Sequence, residues 1–432
     1  GRFFDLFNKA FDKATGSYMT GTNVVARKIG RGLVFIVISV IATAFLAGML
    51  PGGFMPEEDM GYLFINIQLP DAASLQRSDA VAKKVEKIVE KYDEVEFVTT
   101  ATGYSMLSGA MSPNAGFLFV SIKDWTEREA TALEVVNRLN VDLQAAINEA
   151  QVLAFGPPAM PGWGSGSGFT LVIQDKRGNT PDYLAKQTTN FVQAAMQRPE
   201  IGAIFTTFRA NVPQRYMEIN RDKVLKAGIA LNTIYTTIGA FLGGSYVNDF
   251  NRFGRLYKAY IQAEPQYRLN PDQINLFYVK NSTGQNVPLS SFVTIKDIVG
   301  PDFTNRFNLY RSIELTGGPA SGYTSAQALN ALEEVAGETL PDDMGFEWSN
   351  MSYQEKRAAG TGSIVFVFAL VFVFLILAAQ YESWSMPCSI LLGTPFAILG
   401  AFLALLLARL FSQSYEFNIF AQIALVMLIA MA

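Results

Sequence analysis

The stretch GLVFIVISVIATAFLAGML, residues 32–50, contains no ionisable side chain. It has about the length of roughly 20 apolar residues that crosses a bilayer core as a helix. About 310 residues further on, three more apolar runs follow one another closely, at residues 360–379, 387–408 and 417–432. One span, a long polar excursion and a cluster of further spans predict a membrane protein with a large folded region outside the bilayer.

The charges that flank the first span predict its orientation. The basic residues ahead of the span are Arg2, Lys9, Lys13, Arg27, Lys28 and Arg31, and the acidic residues just after it are Glu57, Glu58 and Asp59. Because basic residues beside a span stay cytoplasmic, the N-terminal end is predicted inside and the excursion outside.

Aromatic residues in segment 1–31 fall on one face of a helix. They are Phe3, Phe4, Phe7 and Phe11. An aromatic face opposite charged residues predicts a cytoplasmic helix that lies along the membrane surface. A loosely structured connector is the alternative.

Composition excludes several classes of function. The net charge of −4 gives no electrostatic basis for binding nucleic acid. Histidine is absent, which excludes His-based triads, His metal sites and imidazole proton relays. The only cysteine is Cys388, so no disulfide forms within the chain. The Gly-rich segment 162–168 lacks the consecutive Lys-Ser/Thr pair that a phosphate-binding loop requires, so we interpret it as a hinge. No nucleophile–base pair can be assembled, and no enzyme is predicted.

Alternating apolar patterns over residues 56–168 predict strands and helices in the order β-α-β-β-α-β. In the strand YLFINIQL apolar residues recur with a period of two, and the following helix has them at helical spacing. The predicted elements are Tyr62–Leu69, Ser74–Tyr92, Glu96–Thr102, Gly116–Lys123, Glu129–Glu149 and Val152–Phe155. This order is the split βαβ arrangement.

The same order recurs after the Gly-rich hinge, in two pieces at residues 169–212 and 306–356. The predicted elements are Phe169–Gln174, Pro181–Arg198, Ala203–Phe208, Arg311–Leu315, Ser325–Leu340 and Gly345–Trp348. An insert at residues 213–305, with its own helix at Asn232–Leu242 and a strand at Leu256–Gln262, separates the pieces. The predicted fold class is an α+β membrane protein with transmembrane helices, two split βαβ (ferredoxin-like) subdomains and one inserted subdomain.

Six segments in order resemble one family along the whole chain. They are FFDLFNKAFDK at 3–13, FMPEED at 54–59, VSIKDW at 120–125, GGSYVNDF at 243–250, MSYQE at 351–355 and LAAQYESWSMP at 377–387. With the membrane layout, they identify the chain as similar to the C-terminal half of a resistance-nodulation-division (RND) transporter of the hydrophobe/amphiphile efflux branch.

The resemblance implies a drug pump driven by the proton-motive force, without a cofactor, in the inner membrane of a Gram-negative cell. It implies a homotrimer that works with a periplasmic adaptor protein and an outer-membrane channel, and that contacts membrane lipid and hydrophobic or amphiphilic small molecules. Residues 56–168 would form one porter subdomain, residues 169–212 with 306–356 a second, and residues 213–305 the docking (funnel) subdomain. The last span at 417–432 would be truncated, and the coupling carboxylates would lie in the other half of the pump.

The resemblance also assigns site residues by position. A deeper drug pocket would be lined by Thr99, Ala101, Tyr104 and Phe119, and an outer pocket by Met106, Phe169, Leu171, Ile173 and Arg209. A switch loop between the pockets would consist of Tyr104, Ser105, Met106, Leu107, Ser108, Gly109, Ala110 and Met111. The family's best-known drug exporters are richer in Phe at the positions of Thr99, Ala101 and Met106, which bears on substrate range.

Alternative interpretations of these residues stay open. Core packing against a helix would explain Phe169, Leu171 and Ile173 equally well, and a solvated surface position would explain Arg209. A heavy-metal exporter remains an alternative, since soft ions prefer thioether ligands and the chain has methionines at Met106, Met111 and Met160. Because thioethers fill apolar gaps more often, no metal site is predicted. A membrane translocation or lipid-handling accessory of the same body plan is a further alternative.

Overall fold

The computed structural model describes residues 2–26, 29–56, 58–164, 166–358, 361–411 and 415–431. The chain divides into two compact units, a large unit of Gly1–Arg209 with Phe303–Ala432 and an inserted unit of Ala210–Asp302. Predictions for Arg27, Lys28, Glu57 and residues 360 and 432 fall outside the described residues, as does Ser165 of the Gly-rich hinge. The mixed helix and strand content with apolar helices agrees with the predicted class.

Two helices open the large unit. Helix α1 covers Arg2–Ala26 and α2 covers Ile29–Met49. Residues 2–26 therefore form a helix and not a loose connector, and on it the exposed rings of Phe7 and Phe11 stack at 6.2 Å. The side chains of Phe3 and Phe4 lie outside the described part. The segment Gly30–Met49 is long and apolar enough to cross a membrane.

A four-stranded antiparallel sheet with two helices follows, and we call it the first sandwich. Its elements are β1 (Tyr62–Gln68), α3 (Leu75–Val89), β2 (Val95–Ser105), β3 (Ala110–Ile122), α4 (Ala132–Ala146) and β4 (Gln151–Phe155). The strand order is β2-β3-β1-β4. On β1, the side chains of Leu63, Ile65 and Ile67 are fully buried with apolar residues of α3 and α4. The predicted period of two therefore separates the helix-facing side of the sheet from its opposite side, which we call the open face.

A carboxylate of the FMPEED segment anchors the start of the first sandwich. One oxygen of Asp59 lies 2.6 Å from Arg128 Nη2, and its Oδ2 accepts the backbone N–H of Ala132 at 2.8 Å. Burial raises the pKa of Asp59, but the hydrogen bonds from Arg128, Ala132 and Gly61 outweigh it and hold the pKa below its ordinary value. The linker after α2 is thereby fixed to the N-terminus of α4.

The chain begins a second sheet before it enters the inserted unit. The elements are β5 (Phe169–Asp175), α5 (Pro181–Ala195) and β6 (Ile201–Phe205). The inserted unit contains β7 (Val212–Ile219), α6 (Arg221–Lys226), α7 (Leu231–Ile238), β8 (Ser245–Arg252), β9 (Arg255–Ile261), β10 (Tyr278–Lys280), β11 (Asn286–Pro288) and β12 (Val293–Gly300). Its strands pair as β7 with β12, β8 with β9 and β10 with β11. Its own apolar core includes Ile234 and Leu289, both fully buried.

The large unit then completes the second sheet. The elements are β13 (Asn305–Phe307), β14 (Tyr310–Pro319), α8 (Ser325–Thr339), β15 (Met344–Trp348) and α9 (Asn350–Ala358). Strand β14 pairs with β5 on one side and with β13 and β6 on the other, while β15 pairs with β5. The order β15-β5-β14-β6 matches β4-β1-β3-β2. We call β5, α5, β6, β14, α8 and β15 the second sandwich.

Local sequence explains where the four sandwich helices begin. Ser74, Thr131, Thr180 and Thr324 each accept a backbone N–H of the first helical turn. Such N-caps satisfy donors that a helix start leaves unpaired. At Thr131 the Glu134 side chain accepts the N-cap N–H in return, which completes a capping box.

Four helices end the chain: α10 (Thr361–Tyr381), α11 (Ser385–Leu391), α12 (Thr394–Arg409) and α13 (Ile419–Met431). Segments Ile364–Tyr381 and Ser385–Arg409 are long and apolar enough to cross a membrane, and Ile419–Ile429 is a shorter apolar helix. The predicted continuous span at 387–408 is interrupted at Leu392 and Gly393. Pro395 follows in the first turn of α12, where its missing N–H is tolerated.

Candidate functional site

An aromatic cluster occupies the open face of the first sandwich. Its members are Tyr62, Phe64, Phe117, Phe119 and Phe155, and we call them the aromatic face. The rings of Tyr62 and Phe119 stack at 5.2 Å, and Phe64 lies 5.2 Å from both Phe117 and Phe119 and 5.9 Å from Phe155. These rings share one face because side chains alternate along β1 and β3, whose other residues fill the helix-facing core.

Three residues of the predicted deeper pocket lie on this open face. Thr99 pairs in register with Phe119, and Ala101 pairs with Phe117. Thr99 and Ala101 are exposed, and Phe119 is 42% exposed. The structure therefore brings Thr99, Ala101 and Phe119 together on a surface where Phe119 offers aromatic area to a ligand, whereas Phe64 and Phe117 are buried beneath it.

Sequence reasoning missed three members of the aromatic face, Tyr62, Phe64 and Phe155. A signal was available, since Tyr62 and Phe64 occupy the alternate positions of the strand YLFINIQL. The period-two pattern of this strand was interpreted only for the alternating apolar residues that pack in the core, and not for the residues between them.

The predicted switch loop is shorter than expected. Tyr104 and Ser105 belong to β2, Ala110 and Met111 belong to β3, and these residues pair across the two strands. Only the four residues Met106, Leu107, Ser108 and Gly109 form the turn. Gly103 has a φ of 87°, and the pairing register shifts between Thr102 and Tyr104. A bulge of this kind bends the hairpin and allows pairing to continue past residues predicted as loop.

The turn borders a cavity of about 90 Å³ within the large unit, which we call the cleft cavity. Its lining residues come from the turn and from the second sandwich with its flanking loops: Leu107, Ser108, Phe205, Thr206, Thr207, Phe208, Phe303, Asn305, Ser312, Ile313, Glu314 and Thr316. Among these described residues, Glu314 alone is ionisable. Burial raises the pKa of the Glu314 carboxyl above its ordinary value.

Arg209 follows the cavity residue Phe208 and is held by a carboxylate. Its Nη1 lies 2.7 Å from Asp71 Oδ1, and the two side chains are 29% and 28% exposed. Asp71 follows β1, so the pair connects the first sandwich to the segment after β6. Arg209 is thus neither freely solvated nor among the residues that line the cleft cavity.

Three predicted outer-pocket residues lie elsewhere, and the structure corrects their assignment. Phe169, Leu171 and Ile173 are 1%, 0% and 0% exposed and belong to the core between the second sheet and its helices. Helix α9 adds contacts on β5 through Ser352, whose Oγ accepts the Thr170 N–H at 3.0 Å. These side chains have no free surface for a ligand. Their burial agrees with the alternative that they pack against a helix in the core.

The three methionines that suggested a metal exporter lie in a turn, on a strand and in a loop. Met106 is half-buried in the turn, Met111 is 86% exposed on β3, and Met160 is 39% exposed in the loop after β4. Among the described residues, no group of three or more His, Cys, Asp or Glu side chains could hold a metal ion.

Comparison with known proteins gives one family. A model of the AcrB/AcrD/AcrF family matches residues 1–432. The multidrug/solvent efflux pump membrane transporter MepB of Pseudomonas putida is 33% identical over 419 residues, which cover 96% of this chain and 40% of MepB. The multidrug export protein AcrF of Escherichia coli (strain K12) is 35% identical over 425 residues, 96% of this chain and 40% of AcrF. The chain thus spans about 40% of the length of these curated relatives.

Proposed function

The chain belongs to the AcrB/AcrD/AcrF family of efflux transporters, and from this premise we propose that it forms the C-terminal half of a proton-driven drug pump subunit. The intact pump would export hydrophobic and amphiphilic molecules and would perform no enzymatic chemistry. The names of the relatives, which include multidrug and solvent efflux, support this substrate class over metal ions.

The observation that carries the proposal is the aromatic face on β1, β3 and β4 of the first sandwich. Stacked rings bind varied apolar molecules because the burial of apolar area is non-directional and contributes roughly 25 cal/mol per Å² before ordering costs. Phe119 is partly exposed on this face, next to the small side chains of Thr99 and Ala101. Small neighbours leave room for a bound molecule where larger rings would fill the surface.

The architecture fits such a pump if the sandwiches, the inserted unit and the apolar helices have the roles of the corresponding parts of the family. The two sandwiches, with their shared strand order, would be split βαβ (ferredoxin-like) porter subdomains in the periplasm. The inserted unit would be the docking subdomain, and the exposed rings of Phe250 and Phe253 on its β8–β9 hairpin would contact a partner. Helices α2, α10 and α11 with α12 would cross the inner membrane, and α13 would belong to a further span.

We infer the energy source and partners from family membership. The intact subunit would form a homotrimer and would act with a periplasmic adaptor and an outer-membrane channel. Protons would cross through residues of the intact pump outside this chain, so no cofactor is needed.

A growth assay with the intact parent pump tests the proposal. The host would be a Gram-negative strain without its own efflux pumps but with a compatible adaptor and channel. We expect protection against dyes, detergents and hydrophobic antibiotics, and loss of that protection with a proton uncoupler. Protection against copper, silver or zinc salts alone would overturn the proposal.

The aromatic face gives the test a residue-level form. Phe119→Ala should lower protection against uncharged hydrophobic compounds by roughly 10-fold, the effect of losing about 1.4 kcal/mol of apolar contact. Leu133→Ala is the matched control, because Leu133 is exposed on α4 on the far side of the sheet. Equal protection by both variants and the unaltered pump would exclude the aromatic face as the binding surface.

A further inference from the structure

The segment that follows helix α2 is hydrogen-bonded to the segment that leads into α13. The two segments, residues 51–54 and 417–419, run parallel to each other. Three backbone hydrogen bonds join them: Phe417 N–H to Pro51 O at 3.1 Å, Gly53 N–H to Phe417 O at 3.4 Å and Ile419 N–H to Phe54 O at 3.0 Å. We call these two segments and their hydrogen bonds the clasp.

Side chains pack the clasp against the apolar helices. The ring of Phe417 lies 5.3 Å from the ring of Phe402 on α12 and belongs to an apolar cluster in which Leu50 is buried. Asn418 Oδ1 accepts the Ala421 N–H at 3.0 Å, so the clasp continues directly into the first turn of α13. The clasp is therefore attached to packed helix ends and is more than a contact between two loops.

The other side of the clasp is the linker to the first sandwich. Asp59 follows Phe54 by five residues. Its carboxylate is bound at the N-terminus of α4, and its backbone oxygen accepts the Trp125 Nε1–H at 3.1 Å. Five residues span at most roughly 18 Å even when extended, and Pro56 fixes one backbone dihedral of the linker. A short linker that is bound at both ends transmits a displacement, because it has little slack to absorb it.

The clasp gives α13 a connection that the chain order does not provide. Along the described chain, the polypeptide passes between apolar helices and sandwiches at two places, after α2 and after α9. Helix α13 follows α12 and has no such covalent passage to either sandwich in this part of the chain. Through the clasp, the start of α13 reaches the linker of the first sandwich directly.

We propose that the clasp couples α13 to the first sandwich, so that a displacement of α13 during transport moves the linker and Asp59 with it. This inference rests on the proposed function, since only a working pump would displace α13. The clasp stays closed throughout the cycle, because opening it would break three backbone hydrogen bonds and the packing of Phe417 together.

Proline at the start of α13 tests the clasp in the intact pump. Ile419 is the first residue of α13, a position where proline is tolerated because its N–H has no partner within the helix. Ile419→Pro removes the hydrogen bond to Phe54 O. Ile419→Ala is the matched control, which shortens the side chain and keeps the N–H. We expect Ile419→Pro to give roughly 5-fold less protection against hydrophobic antibiotics than Ile419→Ala, the effect of one backbone hydrogen bond.

Two further readouts separate coupling from folding and from ligand binding. Ile419→Pro and Ile419→Ala should reach the same abundance in membranes. The two purified variants should also bind the uncharged dye Nile red equally, because the aromatic face lies in the first sandwich and does not include the clasp.

A disulfide can replace the hydrogen bonds of the clasp. A Cβ at position 53 would lie 3.6 Å from the Cβ of Glu416, within the range of about 3.5–4.5 Å that disulfides require. Gly53→Cys with Glu416→Cys also removes the carboxylate that would collide with this Cβ. The pump's other cysteines are replaced by serine, and in this chain that is Cys388 alone. Export by the purified intact pump in proteoliposomes is measured in the oxidised and the reduced state.

We expect the oxidised and reduced forms of this cysteine pair to export equally, since the clasp stays closed in either state. In a pump that also carries Ile419→Pro, oxidation should restore export and reduction should abolish the gain. Such a rescue would show that the loss comes from the clasp and not from a damaged helix start.

The outcomes distinguish this inference from the proposed function. If the unaltered pump exports none of the antibiotics, the proposed function fails and the coupling role fails with it. If the unaltered pump exports but Ile419→Pro and Ile419→Ala protect equally, only the coupling role is overturned. It is also overturned if oxidation of the cysteine pair stops export, because the clasp would then have to open in each cycle, or if oxidation does not rescue Ile419→Pro.

Discussion

The two sandwiches have the same strand order, but the equivalent strands β3 and β14 carry different residues on their open faces. In the first, β3 directs Phe117 and Phe119 away from the helices. In the second, the equivalent strand β14 directs Ser312, Glu314 and Thr316 into the cleft cavity. The same scaffold therefore places aromatic residues on this strand in one sandwich and polar, ionisable residues on it in the other.

The difference shows which residues determine topology and which are free to vary. The helix-facing set is apolar in both sandwiches, because each sheet has to bury that side against two helices. The open faces carry no such requirement. A pump that handles amphiphiles needs both an apolar and a polar surface, and the two copies can supply one each.

The largest expected effect comes from neighbouring residues on β3 that point in opposite directions. Leu118 is fully buried in the first core, and Phe119 is 42% exposed. Leu118→Ala should lower the free energy of unfolding by about 2–5 kcal/mol, because it leaves a cavity. Phe119→Ala should cost much less. The measurement is the thermal midpoint of the purified intact pump and its abundance in membranes.

The same two variants can also contradict the distinction between the helix-facing core and the open face of the first sheet. If Phe119→Ala destabilised the protein as much as Leu118→Ala, the aromatic face would be a second core. The loss of transport expected for Phe119→Ala would then reflect folding.

A smaller effect follows from the half-buried carboxylate of Glu314 in the second sandwich. The pKa of Glu314 is raised by burial, so the folded protein favours the protonated acid more than the unfolded chain does. Above the raised pKa the folded state must keep this carboxylate charged while it is partly removed from water, and stability is reduced there. Glu314→Gln should therefore raise the thermal midpoint at neutral pH.

The sign of this prediction can be checked from how the difference in thermal midpoint depends on pH. The advantage of Glu314→Gln should shrink as pH falls through the raised pKa and disappear below the ordinary value, where both states are protonated. Thermal midpoints of both proteins, measured without ligand from pH 7 downwards, test it. A constant advantage at all pH values would mean that the charge is not its source.

Sequence patterns predicted the element order well, because periodicity records burial on one side of a strand or helix. They could not tell which side of β5 its helices cover, and Phe169, Leu171 and Ile173 were assigned to a pocket although they form a core. In the same way, the pattern alone could not show that Tyr104 and Met111 pair. That pairing depends on a bulge beside Gly103.

Glu314 escaped the sequence reasoning for a different physical reason. A lone carboxylate in the apolar strand SIELTG was a visible signal, but its meaning depends on what lies opposite. Only the fold brings Phe208 and Phe303, which are far apart along the chain, to the same cavity. The interrupted span at Gly393 likewise needed the backbone, since composition alone made residues 387–408 look continuous.

The smallest expected effect concerns the ion pair that joins the two sandwiches. Arg209 and Asp71 are each more than a quarter exposed, so a double-mutant cycle should give a coupling energy of about 0.2–1 kcal/mol. The cycle compares Arg209→Ala, Asp71→Ala and the double variant by thermal unfolding of the intact pump. A coupling of several kcal/mol would mean that the pair is desolvated in the assembled protein.

The same variants decide between two roles for Arg209. If its function is to hold the sandwiches through Asp71, both single variants should alter efflux equally and for every substrate. If instead Arg209 contacts ligands, as the family resemblance implied, only Arg209→Ala should alter efflux, and the change should depend on the substrate's charge. The 2.7 Å contact with Asp71 favours the first result, because a guanidinium already engaged by a carboxylate has less to offer a ligand.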